Sequence, residues 1–141
     1  MNREAMLNVM REGYAARVKG DVDGLLASFT PDAKFRLNAS SPQKAAVVHA
    51  CAGAGEMRTS LEQLVDAFEF LSCDIVDSIV EGSKAAIRIR FKVRARHTGN
   101  VAVTESLDLI EFRDGKISSY TQFFDTAIAD RLAAPAASAA S

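Results

Sequence analysis

From Arg3 to Lys19 the apolar residues Met6, Leu7, Met10, Tyr14 and Val18 recur at steps of three and four, the stripe of an amphipathic helix. Gly20 ends that stripe, and Asp21 is placed to cap a second short helix reaching Ser28. Pro31-Asp32 then reads as a turn into the alternation of Phe35 and Leu37, a first strand. Residues 38–55 are rich in Ser, Ala and Gly and contain Pro42, which predicts a loop with at most a short strand around Val47. Thr59 with Glu62, or Ser60 with Gln63, forms a capping box ahead of Leu61, Leu64, Val65, Phe68 and Leu71, the stripe of a third helix. Beyond it the period changes to two. Strands are expected near 73–81, 84–97, 101–113 and 116–125, separated by Gly82-Ser83, Gly99-Asn100 and Asp114-Gly115, an antiparallel meander. Helices followed by strands give an α+β domain with one sheet face covered by helices.

The two faces of the meander differ in chemistry. Ile87, Ile89, Phe91 and Val93 alternate with Arg88, Arg90, Lys92, Arg94 and Arg96, so one face is apolar and the other basic. A two-residue loop at Gly99-Asn100 would pair Thr98 with Val101, and so Arg94 with Glu105, Arg88 with Glu111 and Phe91 with Asp108. The basic face then carries its own counter-charges. Leu107 and Leu109 share that face, and apolar residues among paired charges suggest a homodimer packed sheet against sheet. Asp108 falls on the other, apolar face with Ile89, Phe91, Val93 and Ile110 around it. Desolvation would raise its pKa, making it either a tuned acid and hydrogen-bond donor or a structural aspartate bonded to a helix end or to a buried hydroxyl such as Tyr14. Asp114-Gly115 allows two registers for the last strand: a tight turn sets Thr121 across from Asp108, and a glycine bulge sets Gln122 there with Tyr120 and Phe124 on the same face.

Composition narrows the class of function. The chain has 141 residues, enough for one domain with a sizeable core, and 17 basic residues against 18 acidic, which does not suggest a nucleic-acid partner. Cys51 and Cys73 form neither a CxxC pair nor a disulfide framework, so they read as small hydrophobes of a reducing cytoplasm. Met1 to Met10 lacks the apolar core of a signal peptide, and Lys44 to Gly55 is too short to span a bilayer, so no membrane role is expected. His49 and His97 stand in no metal-ligand or triad spacing, and Gly53-Ala-Gly55 is not a phosphate loop. His97, beside a turn, is expected to be exposed, whereas His49 could cap the mouth of a pocket.

Gly20-Asp21 followed by Phe29-Thr-Pro-Asp-Ala33, the helix near Leu61 to Phe70, and Leu109-Ile-Glu-Phe-Arg-Asp-Gly-Lys-Ile117 leading into Phe123-Phe-Asp-Thr126 make most of the chain resemble one known group. It is similar to the SnoaL-like branch of the nuclear transport factor 2-like superfamily, which includes ketosteroid isomerase and limonene epoxide hydrolase. The resemblance implies a cystatin-like cone: a strongly curved antiparallel sheet wrapped around three N-terminal helices, enclosing an apolar pocket, often dimeric. It also selects the bulged register, with Gln122 opposite Asp108. Asp108 falls where the isomerase resembles it in placing a protonated oxyanion-hole aspartate. The isomerase's proton-shuttling aspartate corresponds to Leu37, and its oxyanion-hole tyrosine falls near Gly13, one residue from Tyr14. Ile89, Phe91 and Gln122 occupy the positions of the epoxide hydrolase's arginine and two aspartates, which excludes water activation by that triad, and the cyclases' acid/base aspartate falls near Gln122.

The expectation is therefore one SnoaL-like domain over residues 1–131 with a disordered Ala/Ser/Pro tail over 132–141. Its function would be an isomerase, cyclase or lyase acting on a small hydrophobic carbonyl compound without metal or organic cofactor. Asp108 would be the catalytic group; Tyr14, Phe35, Leu37, Ile89, Phe91, Ser106, Tyr120, Gln122 and Phe124 would hold the substrate. The alternative is a non-catalytic module that binds a small hydrophobic ligand in the same pocket or acts chiefly as a dimeric interaction partner.

Overall fold

Among the described residues six strands form one open sheet in the order β2-β1-β6-β5-β4-β3, with β1 Phe29–Leu37, β2 Ala50–Ala52, β3 Phe68–Glu81, β4 Lys84–Ala95, β5 Val101–Arg113 and β6 Lys116–Phe124. Five are long, and β2 is a three-residue edge strand. The helices are α1 Arg3–Lys19, α2 Val22–Ala27, α3 Ala54–Ala67 and α4 Thr126–Ala133. This computed structural model describes residues 1–38 and 50–135. The expectations for Pro42, Val47, His49 and residues 136–141 lie outside the described residues.

The helical starts and stops follow local chemistry. Asn2 caps α1 by accepting from the Ala5 amide at 2.8 Å, and Gly20 closes it in the left-handed region at φ 70°. Asp21 caps α2 through the Gly24 amide at 2.9 Å, as its position after Gly20 predicts. The expected capping box does not start α3. That helix begins at Ala54, behind Gly53 and with no side-chain cap, so Thr59 lies inside it and its hydroxyl bonds back to the Gly55 carbonyl. It also ends early: Phe68 and Leu71, read as part of its stripe, belong to β3.

The sheet is mixed rather than wholly antiparallel, because β1 runs parallel to β6 while the other neighbours are antiparallel. Pro31-Asp32 is not a turn. Both lie within β1, where the ladder to β6 is irregular between Phe29 and Lys34, which suits a residue with no N–H to donate.

The β4–β5 register differs from expectation by four residues. Arg94 pairs with Val101, Arg88 with Leu107, Arg90 with Glu105, Lys84 with Glu111, and Ile87, not Phe91, lies across from Asp108. The loop is longer than two residues because the Gly99 amide folds back to the Ala95 carbonyl at 2.8 Å. In the same loop the Asn100 side chain donates to the Arg131, Leu132 and Ala134 carbonyls at the end of α4. An even slip changes every cross-strand partner and leaves each residue on its own face. Ile87, Ile89, Phe91 and Val93 are therefore buried as expected, and the arginines are outside. Their partners are new: Arg88 and Arg90 share Glu105, at 2.7 and 2.8 Å, and Arg94 pairs with Glu69 on β3.

Helices α1, α2 and α3 cover the inner face, where Met6, Met10, Met57, Leu61, Ile87, Ile89 and Ile117 make the core. The fourth helix has no counterpart in the sequence reading. Leu132, assigned there to the tail, is 5% exposed in the core, and its carbonyl accepts from the Thr98 hydroxyl at 2.6 Å.

Candidate functional site

Three elements meet at Asp108. Alternation along β5 turns Ser106, Asp108, Ile110 and Phe112 inward. On β6 the tight turn at Asp114-Gly115, both with positive φ, pairs Arg113 with Lys116 and Phe112 with Ile117. A bulge at Ser118 then shifts the pairing, so that Tyr120 lies opposite Ile110 and Gln122 opposite Asp108. The tight turn and the bulged register therefore both occur, one after the other. Without the added residue Thr121 and Phe123 would face the core; with it Tyr120 is buried and Phe123 is outside. From α1, Tyr14 reaches the same point as part of the buried stripe.

Asp108 has no solvent exposure and accepts from four side chains. Tyr14 donates to Oδ2 at 2.8 Å, Gln122 Nε2 approaches the same oxygen at 3.4 Å, and the Tyr120 hydroxyl donates to it as well. Ser106 donates to Oδ1 at 3.0 Å. Burial raises the pKa of Asp108, and the hydrogen bonds from Tyr120, Tyr14, Gln122 and Ser106 oppose that rise by favouring the carboxylate. Burial, reinforced by the negative charge at Asp108, pushes the Tyr14 and Tyr120 hydroxyls well above the usual phenol range. Both tyrosines therefore stay protonated.

Among the described residues two small cavities adjoin this cluster at Gln122, and Tyr14 also lines a larger, open groove between α1 and β3. The first, about 50 Å³, is walled by Met10, Leu25, Phe29, Phe35, Phe70 and Ile117, with the Tyr14, Tyr120 and Gln122 side chains as its polar corner. The second, about 70 Å³, lies under α4 and is lined by Leu37, Phe91, Val93, Phe124, Ile128 and Leu132 among others. Arg17, Leu64, Phe70 and Gln122 wall both.

Of the expected substrate-contact residues, Tyr14, Phe35 and Tyr120 reach the first cavity, Leu37, Phe91 and Phe124 the second, and Gln122 both. Ile89, Ser106 and Asp108 reach neither wall. Ile89 is core, and Ser106 and Asp108 stand behind the tyrosines, so Asp108 can act on a bound molecule only through Tyr14, Tyr120 or Gln122. Asp108 thus makes the hydrogen bond to Tyr14 on which the sequence's alternative, structural reading of it rests.

Sequence reasoning missed Arg17. It lies three residues after Tyr14 and seven after Met10, in phase with the apolar stripe, and that phase was the available signal. Its guanidinium is buried over the Phe70 ring, 4.0 Å from the ring centroid, and burial lowers its pKa to about 10. Cys73 is a free thiol whose pKa burial pushes up to about 12, so it is not a thiolate at neutral pH. His97 is exposed. Among the described residues no three His, Cys, Asp or Glu side chains are grouped to hold a metal, and no helix is long and apolar enough to cross a membrane.

A family profile described as the SnoaL-like domain matches residues 10–120 of the chain. Among curated proteins no match is found. Solved structures match over nearly the whole length. A Bacillus subtilis protein described as a candidate isomerase superposes with a TM-score of 0.83 at 15% identity, covering 94% of this chain and 95% of that one. A candidate polyketide cyclase from Xanthomonas campestris gives 0.75 at 17%, covering 95% and 100%. An epoxide hydrolase from M. tuberculosis, of the limonene epoxide hydrolase-like kind, gives 0.69 at 14%, covering 88% and 85%. At these identities the shared property is the cone-shaped α+β fold.

Proposed function

The chain belongs to the SnoaL-like domain family, and from that premise we propose that its first cavity receives the carbonyl oxygen of a small hydrophobic compound for isomerase, cyclase or lyase chemistry. The observation that carries this reading is the convergence of Tyr14, Tyr120 and Gln122 on one buried oxygen of Asp108, with all three lining the cavity. Counting protons gives the mechanism. Each tyrosine hydroxyl has one proton. While Asp108 is a carboxylate, both protons point at it and neither is free for a ligand. Once Asp108 is protonated, its own O–H donates to one tyrosine, and that tyrosine turns its proton to the ligand oxygen. Asp108 is then a positioning and proton-supplying group acting through a tyrosine, in a site dry enough to strengthen each bond. The isomerase and cyclase descriptions of two structural neighbours make carbonyl proton transfer the class to test first.

A specific observation keeps a second reading, that of a non-catalytic binding module. No carboxylate or histidine lines the first cavity among the described residues. Asp125, at the second, is occupied as the α4 cap by the Ala127 and Ile128 amides. An isomerisation needs a base within reach of a C–H, and His49 lies outside the described residues.

The outer sheet face fits a second copy of the chain. Leu107 and Phe123, each 43% exposed and paired across β5 and β6, sit with Val103 and Leu109 beside the Arg88–Glu105–Arg90 cluster. A two-fold contact would cover this apolar strip and let paired charges meet paired charges.

The test of the cavity reading is hydrogen–deuterium exchange at the carbon next to the carbonyl in small cyclic ketones, run beside binding of the same ketones. Exchange that falls at least tenfold in Asp108→Asn and Tyr14→Phe supports the enzyme. Binding that depends on Tyr14 with no exchange above the buffer rate supports the binding module. Binding indifferent to both residues removes the carbonyl reading.

A further inference from the structure

Arg17 is the buried group that a carbonyl site leaves unexplained. It is 6% exposed, and its Nη2 donates to the Phe68 carbonyl at 2.6 Å and the Leu64 carbonyl at 3.4 Å, where α3 gives way to β3. Those bonds tie a helix end to α1 and use one nitrogen. Among the described residues Nε and Nη1 have no hydrogen-bond partner, which leaves three of the five guanidinium N–H groups unpaired there. No carboxylate forms an ion pair with Arg17 among the described residues. A cation out of water with unpaired donors is expensive to hold, and native interiors normally pair such groups. Capping two carbonyls does not require a guanidinium, since a lysine or glutamine could do it.

The position supplies what the cap does not. Arg17, with Leu64, Phe70 and Gln122, walls both cavities, so the cation stands at the partition between the tyrosine corner and the apolar space beneath α4. The second cavity offers Phe91, Val93, Phe124, Ile128 and Leu132 to a hydrocarbon body. The one buried acid among the described residues, Asp108, is already held by four donors of its own.

We propose that the natural occupant is a small hydrophobic carboxylate, whose anionic group accepts from the unpaired N–H groups of Arg17 while its hydrocarbon part lies in the cavity beneath α4. The placement of a carbonyl at the tyrosine corner rests on the function proposed above; the carboxylate at Arg17 rests on the guanidinium alone. Such a ligand restores the partner that burial removes, while the guanidinium keeps its cation–π contact with the Phe70 ring. At neutral pH the arginine is fully charged, since even its lowered pKa is about 10.

The probes are benzoate and benzamide, nearly equal in shape and different in charge. Calorimetric titration of the full chain at pH 7 is expected to show benzoate binding at least tenfold tighter than benzamide, with a shift of the Arg17 Nε–H resonance on adding benzoate. The preference should vanish in Arg17→Met and survive in part in Arg17→Lys. Equal affinity, no binding of either probe, or benzoate binding with an unmoved Arg17 resonance overturns the proposal on the wild-type protein alone, whether or not the variants fold. Cyclohexanone separates this idea from the carbonyl reading. Ketone binding that needs Tyr14 while benzoate fails removes only the carboxylate, and benzoate binding without Tyr14-dependent ketone binding removes only the carbonyl.

Discussion

The Tyr14 hydroxyl donates to Asp108 Oδ2 at 2.8 Å, joining the first helix to the middle of the sheet across 94 residues of chain. The bond is buried and is made to an ionisable partner, so its loss leaves an acceptor short of a donor in a dry site. Tyr14→Phe is expected to lower unfolding free energy by about 1–3 kcal/mol, the range for a lost buried hydrogen bond to such a group. Urea titration measures it, and an unchanged midpoint would show that Tyr120, Gln122 and Ser106 satisfy Asp108 without help.

Asp108 should also give the protein a pH dependence of known sign. Its folded pKa is raised by burial, so the native state keeps a proton that the unfolded state releases above about pH 4. The stability it contributes is full below that unfolded value and is lost as pH rises through the folded one. Asp108→Asn keeps an acceptor for the tyrosines and cannot titrate. Wild-type stability minus that of the variant should therefore decline from pH 4 upward; a difference that stays flat or climbs contradicts the assignment.

Leu132 is 5% exposed and anchors α4 over the second cavity. Leu132→Ala should cost about 2–3 kcal/mol, toward the low end for a buried leucine because a terminal helix can settle into the space. Thermal unfolding reads the loss. A negligible shift would mean that α4 is not part of the cooperative core.

The proposed dimer makes a different demand. Leu107→Glu adds a carboxylate beside Phe123 on the outer strip, where the monomer's own packing is little affected. Light scattering should show the wild type at twice the chain mass and the variant at the chain mass, with unchanged secondary structure. A wild type that is monomeric at high concentration ends the proposal.

What was legible in the sequence is what depends on near neighbours and on period. The stripe of α1, the Gly20-Asp21 junction, the four long strands of the meander and the inward face of β4 and β5 all follow from spacing and turn chemistry. Face assignment survived an error of four residues in register because side chains alternate with period two. Gln122 opposite Asp108 came from the resemblance, and the bulge at Ser118 that produces it has no marker in the local residues. The cross-strand partners, the parallel pairing of β1 with β6, the docking of α4 and the burial of Arg17 were not legible. Each depends on a segment distant in the chain: Asn100 fixes the β4–β5 loop through carbonyls more than thirty residues away, and Arg17 is buried because the end of α3 and Phe70 close over it. By itself the sequence determined that a lone carboxylate would face an apolar interior. Only the tertiary structure decided that this carboxylate stands behind two tyrosines rather than at the cavity wall, because desolvation demands hydrogen-bond donors from whichever elements the fold brings within reach.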